Sequence, residues 1–516
     1  MFGRSILVYS GLLAAVIAAA WLHAEPVILP VGLPRLESER FYAVDLSGQC
    51  RSFDLEFDGR GRYEMIVSSL GDAGQTHRVS LAAVPLTQVE TFPATVLAPV
   101  DHRLPRGPRE YRPTELNHAA QHAIAGSELA ASGACDATST AVQRRFFLHV
   151  TDDVLEDQRG YLPVVGILAR EGKQVRVYLD REVSESDLAP GLIGEVLRLL
   201  DDEIIPRSRE LLGEHADVDG DGKLAVLVTP WLGKLCGGRT SLKGFVRAND
   251  FQAHVEVPFG NHADLLYLNS SLKPGKELKT LLAHEYTHAV CFSRRLADVA
   301  REAPLSEEED WLNEAIAHVA ENLHATGSGH QAHSNLTRSS QEWSNLDWRI
   351  AAFLRSPQNS PLAVRDYYRA GLWRDPGCRG ATYLFLRYWV DQCGEQLLRD
   401  LVESPVVGKR NLERATGVAF PELFRRWTIA LVQDQIASVR LHEKIGDCDM
   451  AGVACIEWHP ETGPCEVDLH GTSMCLVVLK PGAESRAVRI LIRGEPEARL
   501  QVSISRCAAH KCAEAR

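Results

Sequence analysis

Apolar residues recur along this chain in three successive rhythms. From Glu39 to Val84 the period is two: Glu39–Leu46, Arg62–Ser69 and Val79–Val84 read as short strands, separated by turns such as Asp58-Gly-Arg-Gly. From Arg145 strand and helix patterns alternate. Phe146–Val150, Gln174–Leu179, Leu224–Val228 and Leu265–Leu268 are strand-like. Leu192–Leu212 carries Leu192, Ile193, Val196, Leu199, Leu200 and Ile204 at helical intervals, with Pro206 as a potential kink. Helical spacing then dominates: Leu278–Leu296, Trp311–Leu323, Asp347–Leu354, Ala381–Gln392 and Phe420–Val439. Beyond Cys448 the period returns to two, in Ser473–Leu479, Ala487–Ile492 and Leu500–Ile504.

This order predicts an α+β protein. A small all-β domain is expected over 25–142, a central domain that is α/β first and helical afterwards over 143–440, and a second small all-β domain over 441–516. Leu104-Pro-Arg-Gly-Pro-Arg-Glu-Tyr-Arg-Pro113 has the composition of an exposed connector, and a cut there would make 25–115 a propeptide. At the start, Arg4 precedes the apolar run Ile6–Leu22, and Leu22-His23-Ala24 offers a small residue for cleavage. Residues 1–24 are therefore expected to be an export signal, the alternative being an uncleaved membrane anchor. Either way the chain is expected outside the cytoplasm.

Charge and cysteine usage narrow the picture. A net charge of −12 implies no dominant basic surface and argues against nucleic acid as a partner. With 45% hydrophobic and 24% charged residues, the 516-residue chain has ample material for folded cores. Of its twelve cysteines, Cys448, Cys455, Cys465, Cys475, Cys507 and Cys512 cluster at the end, which in an exported chain predicts a disulfide-stapled module.

The chemistry concentrates between Leu278 and Leu323. His284-Glu285-Tyr-Thr-His288 lies on a predicted helix, where residues four apart share a face and both imidazoles can reach one Zn²⁺. Glu285 sits about 100° around that helix, placed to take a proton without being a ligand. Glu314, in Trp311-Leu-Asn-Glu314-Ala, follows His288 by 26 positions, enough for a loop and a second docked helix. Two His and one Glu leave a fourth zinc position for water. Zinc brings the pKa of such a water to about 7, Glu285 accepts its proton, and the metal polarises the carbonyl under attack. That set suits amide hydrolysis of a protein or peptide substrate.

These residues resemble the gluzincin metallopeptidases, in which an Asn-Glu pair marks the third-ligand helix. Together with Asp217-Val-Asp-Gly-Asp-Gly-Lys-Leu and Leu266-Tyr-Leu-Asn, they are more closely similar to the hyicolysin-type group of bacterial extracellular metallopeptidases. The likeness covers about Phe146 to Val439. It implies a zincin-like fold and a peptidase with His284, His288 and Glu314 as zinc ligands and Glu285 as base. Many relatives place an acidic residue four positions after the third ligand, where this chain has His318; Glu321 or a residue elsewhere is left to take that part, and His318 itself is a supporting or surface residue ahead of a further ligand. For the proton donor to the transition state, Tyr383 is the first candidate, with His330, His333, Tyr367 and Tyr368 as rivals.

A second metal candidate is Asp217-Val-Asp219-Gly-Asp221-Gly222-Lys223. It matches the first half of an EF-hand loop, yet position 12 is Val228 in a predicted strand, so a shortened Ca²⁺ loop competes with a solvated Asp/Gly turn. The favoured expectation is an exported zinc metalloendopeptidase. Its rivals are an aminopeptidase of the same clan and an inactive protease-fold binding or adhesion protein. Oligomeric state and substrate preference are not encoded in these patterns.

Overall fold

The computed structural model describes residues 36–101 (except 45, 47–51, 58–60 and 87–96), 103, 142–151, 156–296, 305–326, 345–433, 444–445, 448–449 and 452–507 (except 483–485). Residues 1–24, the connector at 104–113, His330 and His333 lie outside this set. Among the described residues no helix is long and apolar enough to cross a membrane.

The chain is a mixture of α and β structure, as an α+β protein should be. A central six-stranded sheet has the order β10-β11-β9-β8-β7-β6, built from β6 (Gln143–His149), β7 (Tyr161–Glu171), β8 (Val175–Asp180), β9 (Leu224–Thr229), β10 (Gly244–Val246) and β11 (Leu265–Asn269). β8, β9 and β11 run parallel, with Leu265 opposite Ala225, and β10 pairs antiparallel on the outer edge. The parallel strands are apolar throughout because both sheet faces are covered. Val226, Val228, Leu266 and Leu268 face the helices, while Ala225, Leu227, Leu265 and Tyr267 enter a second core on the other side.

Helices α1 (Leu192–Leu199) and α2 (Ile205–Leu211) are joined by a π-helical turn at Leu200–Ile204. The turn falls immediately before the expected Pro206 kink, and the helix passes through it without breaking off. β11 leads directly into α3 (Lys276–Leu296), followed by α4 (Asp310–Thr326), α5 (Asn345–Arg355), α6 (Pro376–Cys393), α7 (Gln396–Glu403), α8 (Gly408–Thr416) and α9 (Phe420–Val432). α3 is the helix around which the others pack, so nearly every residue from Leu282 to Leu296 is buried.

The flanking β regions differ from expectation. They are not two domains. β1 (Phe41–Val44), β2 (Ser52–Phe57), β3 (Tyr63–Ser69), β4 (Thr76–Pro85) and β5 (Leu97–Val100) interleave with β14 (Cys455–Trp458), β15 (Cys465–His470), β16 (Met474–Leu479), β17 (Arg486–Arg493) and β18 (Leu500–Arg506). A small ladder, β12 (Lys444–Ile445) with β13 (Cys448–Asp449), precedes β14. One sheet reads β14-β16-β3-β18-β1-β5 and the other β15-β4-β17-β2. Neither segment alone has enough strands to cover its apolar face; together they close a two-sheet core of Phe53, Leu55, Met65, Val67, Val79, Leu81, Val477, Val488, Ile490 and Val502.

β16 explains its own sequence. Met474, Leu476 and Val478 join the helical core while Cys475, Val477 and Leu479 face the sandwich core, so Met-Cys-Leu-Val-Val-Leu is apolar at every position. Of the six cysteines expected to form a disulfide staple, Cys455, Cys465 and Cys475 are free thiols, the last two buried, and Cys512 lies outside the described residues. Hydrogen bonds from Leu362 N to Thr472 O (3.0 Å) and from Arg425 Nη1 to Val502 O (3.0 Å) fasten the sandwich to the helices.

Candidate metal centre

The two histidines of α3 stand one turn apart on the face turned toward α4, as the spacing of four requires. Their Nε2 atoms are 3.2 Å apart. From α4, Glu314 brings Oε1 to 3.5 Å from His288 Nε2 and Oε2 to 3.8 Å from His284 Nε2. All three side chains are buried. Tetrahedral zinc with bonds of about 2.0–2.2 Å sets its ligands roughly 3.3–3.5 Å apart, which is the scale of this triangle. Glu314 Oε2 and His288 Nδ1 are buried with no hydrogen bond in the protein. A nitrogen, nitrogen, oxygen donor set with an unsatisfied carboxylate oxygen fits a zinc ion.

Around this triangle the groups are ordered by charge. Glu321 lies two helical turns beyond Glu314 on the same face, and its Oε2 is 3.5 Å from His284 Nδ1 and 3.4 Å from His318 Nδ1. Its carboxyl is held far below the usual carboxylate range: burial raises it, but the hydrogen bonds of His284 and His318 outweigh that. His318 is fully buried, and its Nε2 accepts from Arg379 Nε at 3.1 Å. Its Nδ1 lies 3.1 Å from Arg349 Nη1 and 3.4 Å from Glu321 Oε2. Burial, then the cations of Arg349 and Arg379, drive His318 well below its ordinary value, so it is neutral. With both nitrogens engaged it is held between Arg379 on one side and Arg349 and Glu321 on the other.

Burial lifts Glu285 above the ordinary carboxylate range against the pull of the two imidazoles. Glu314 is shifted the other way: burial raises it, but the His288 hydrogen bond and the charges of His284, His288 and Arg379 take it well below. Beside Glu285 runs the edge strand β10. A Cβ added at Gly244 would lie 3.1 Å from Tyr267 O and 3.4 Å from Glu285 Cγ, so only glycine leaves that approach open.

The tyrosines separate clearly. Tyr383 is 1% exposed inside α6, and its hydroxyl is shifted upward mainly by burial, near Arg387, Asp391 and Asp347. It is not brought to the triangle; a helix start in sequence did not indicate that this face of α6 packs inward. Tyr367 is likewise buried, with its hydroxyl unpaired. Tyr368 is the tyrosine that reaches the triangle: its hydroxyl donates to Glu314 Oε1 at 2.6 Å, and the residue is 38% exposed. Its backbone N–H donates to Asp310 Oδ2 at 3.0 Å at the start of α4. Arg349 and Arg379 were not foreseen; nothing in their local sequence marks them. Glu321 is already a candidate in the sequence, and its spacing of seven after Glu314 puts it on the same face.

The second candidate is rearranged. Asp217 and Asp219 come together with Asp264, one oxygen from each within 4.8 Å of the others. Asp221 turns away to Arg176 Nη1 at 2.5 Å.

The site thus has the make-up of a candidate metal centre, two imidazoles and a carboxylate converging on one point. The chain is similar to the neutral metalloprotease ShpI of Staphylococcus hyicus, with 24% identity over 229 residues, 42% of this chain and 46% of that protein. The match therefore spans about half the length of that relative. No family model matches the chain.

Proposed function

We propose that this protein is an exported zinc-dependent metalloendopeptidase with a zincin-like catalytic domain. The observation that carries this is the convergence of His284, His288 and Glu314 with Glu285 beside them. When bound, zinc supplies Lewis acidity to a water and to the scissile carbonyl. The substrate lies extended along the free edge of β10, adding a strand and placing its carbonyl beside Glu285. Glu285 takes the proton of the attacking water and delivers it to the leaving amine; its raised affinity for protons suits a base that must also act as an acid. Tyr368 turns its hydroxyl from Glu314 to the developing oxyanion. Glu321, beside His284 Nδ1, orients that ring, and Arg349, Arg379 and His318 pack around it.

The test is cleavage of casein and of blocked internal peptides by the zinc-loaded chain, with and without chelator. Glu285→Gln is expected to keep one zinc per chain and to lose at least about 10²-fold in kcat. Tyr368→Phe should lower kcat with little change in KM. One zinc per chain with no chelator-sensitive cleavage would exclude the peptidase and favour a binding protein on the same scaffold. Release of residues only from free N-termini would favour an aminopeptidase.

A further inference from the structure

We infer that Asp217, Asp219 and Asp264 form a second metal site, for Ca²⁺, that ties the starts of β9 and β11 together behind α3. Asp217 organises its own loop: Oδ1 accepts from Gly220 N (2.9 Å) and Asp221 N (3.2 Å), and Oδ2 from Gly222 N (2.9 Å). Oδ2 keeps a lone pair free, while the two N–H donors fill Oδ1. Asp264, 42 positions after Gly222, is the unexpected member. It is 1% exposed, its Oδ1 accepts from Val218 N at 3.2 Å, and its Oδ2 makes no hydrogen bond although His215 Nε2 is 3.3 Å away.

A buried carboxylate oxygen whose nearest donor is a histidine ring 3.3 Å away, out of normal hydrogen-bond geometry, beside two further carboxylates, is an arrangement a cation completes. The nearest fixed counter-charge is Arg144, whose Nη1 is 2.6 Å from Asp219 Oδ2. Three carboxylates against one guanidinium leave two negative charges in excess. The donors are all oxygen, which selects a hard cation, and three protein carboxylates suit Ca²⁺, whereas Mg²⁺ keeps several waters and takes one or two carboxylates. Mg²⁺, at about 2.0–2.1 Å, draws its ligands closer. Burial takes Asp219 up to about 6 and also raises Asp264, consistent with a cluster short of positive charge.

The site has a structural consequence. His215 Nδ1 is 2.8 Å from the Tyr286 hydroxyl, and Ala216 N donates to Ser293 Oγ at 3.0 Å. Tyr286 and Ser293 are both on α3, on the side away from the metal-ligand imidazoles. Ca²⁺ therefore braces the loop against which α3 rests.

The experiment uses the full-length chain in calcium-free buffer with zinc fixed at one equivalent. CaCl₂ is titrated, with MgCl₂ in parallel, while bound calcium and Tm are measured. One calcium per chain and a Tm rise of at least about 3 °C are expected, with Mg²⁺ at least tenfold weaker. Asp264→Asn and the less buried Asp219→Asn should each weaken calcium binding at least tenfold with zinc content unchanged. Asp221→Asn should leave it intact. Absence of calcium uptake by the wild type at millimolar concentration would overturn the site. So would a loss of binding in Asp221→Asn with retention in Asp264→Asn, which is the EF-hand pattern.

Discussion

Glu321 does for His284 what an acidic residue at position 318 would otherwise do. The helix offers two positions on the Glu314 face beyond it, and this chain puts the carboxylate at the farther one and a neutral imidazole at the nearer. Removing the charge should loosen His284. We expect Glu321→Gln to raise the Kd for zinc about 10- to 100-fold, read by competition with a chromophoric chelator. An unchanged Kd would mean that α3 alone fixes the ring. His324, one turn further along α4, reports on stability instead. It is buried, its Nε2 is 3.0 Å from Ser208 Oγ, and burial followed by the cations Arg207 and Lys279 lowers its pKa to about 4. The unfolded chain, with a His pKa of about 6.5, binds the extra proton between those values. The stabilisation from a neutral His324 is thus complete above pH 6.5 and is lost as pH falls toward 4, by at most about 3 kcal/mol. Urea unfolding of His324→Gln against wild type should show a shallower decline across this window. At this scale the meeting of His284 and His288 was legible because i, i+4 spacing fixes their geometry. Tyr368 was not ranked, because its approach to Glu314 depends on a contact 54 positions distant in sequence.

Among the elements, the α3–α4 pair depends on an ion held far from water. Arg295, in the last turn of α3, donates to Ser306 O (3.0 Å) and Ser404 O (2.7 Å) and lies 3.8 Å from Glu308. Glu308 in turn accepts from Gly408 N (2.6 Å) and Asn411 Nδ2 (2.6 Å). Both residues are buried. Arg295→Leu would leave the Glu308 charge and two loop carbonyls uncompensated, which predicts a loss of about 3–5 kcal/mol by chemical denaturation. A loss under 1 kcal/mol would show that water replaces the guanidinium there. Sequence periodicity located most of these elements to within a few residues: α3 ends at Leu296 and β9 begins at Leu224, as their patterns require. It missed β7, whose interior mixes Gly166 and Pro163 with apolar residues, and β10, whose three residues are too few to show a period.

For the whole molecule, local rhythm identified strands without identifying their partners. β3 pairs with β16 and β18, and β4 with β15 and β17, so each inner N-terminal strand lies between two C-terminal ones. Pairing across some 400 positions leaves no local mark, and two separate β domains were the natural expectation. The arrangement bears on the connector at 104–113. If 25–115 were a propeptide, its departure would strip β1–β5 from both sheets and expose the apolar faces of β16, β17 and β18. Each fully buried Val, Leu, Ile or Phe exposed in this way costs about 1.5–3 kcal/mol, and Phe53, Leu55, Phe57, Met65, Val67, Val79 and Leu81 are all in that core. A cut in the connector should therefore nick the chain without releasing the fragment. Limited proteolysis followed by gel filtration is expected to give two bands on a denaturing gel from a single native peak, with separation only in denaturant. A free N-terminal fragment in native buffer, with the remainder still folded and holding zinc, would show that the sandwich is dispensable and restore the propeptide.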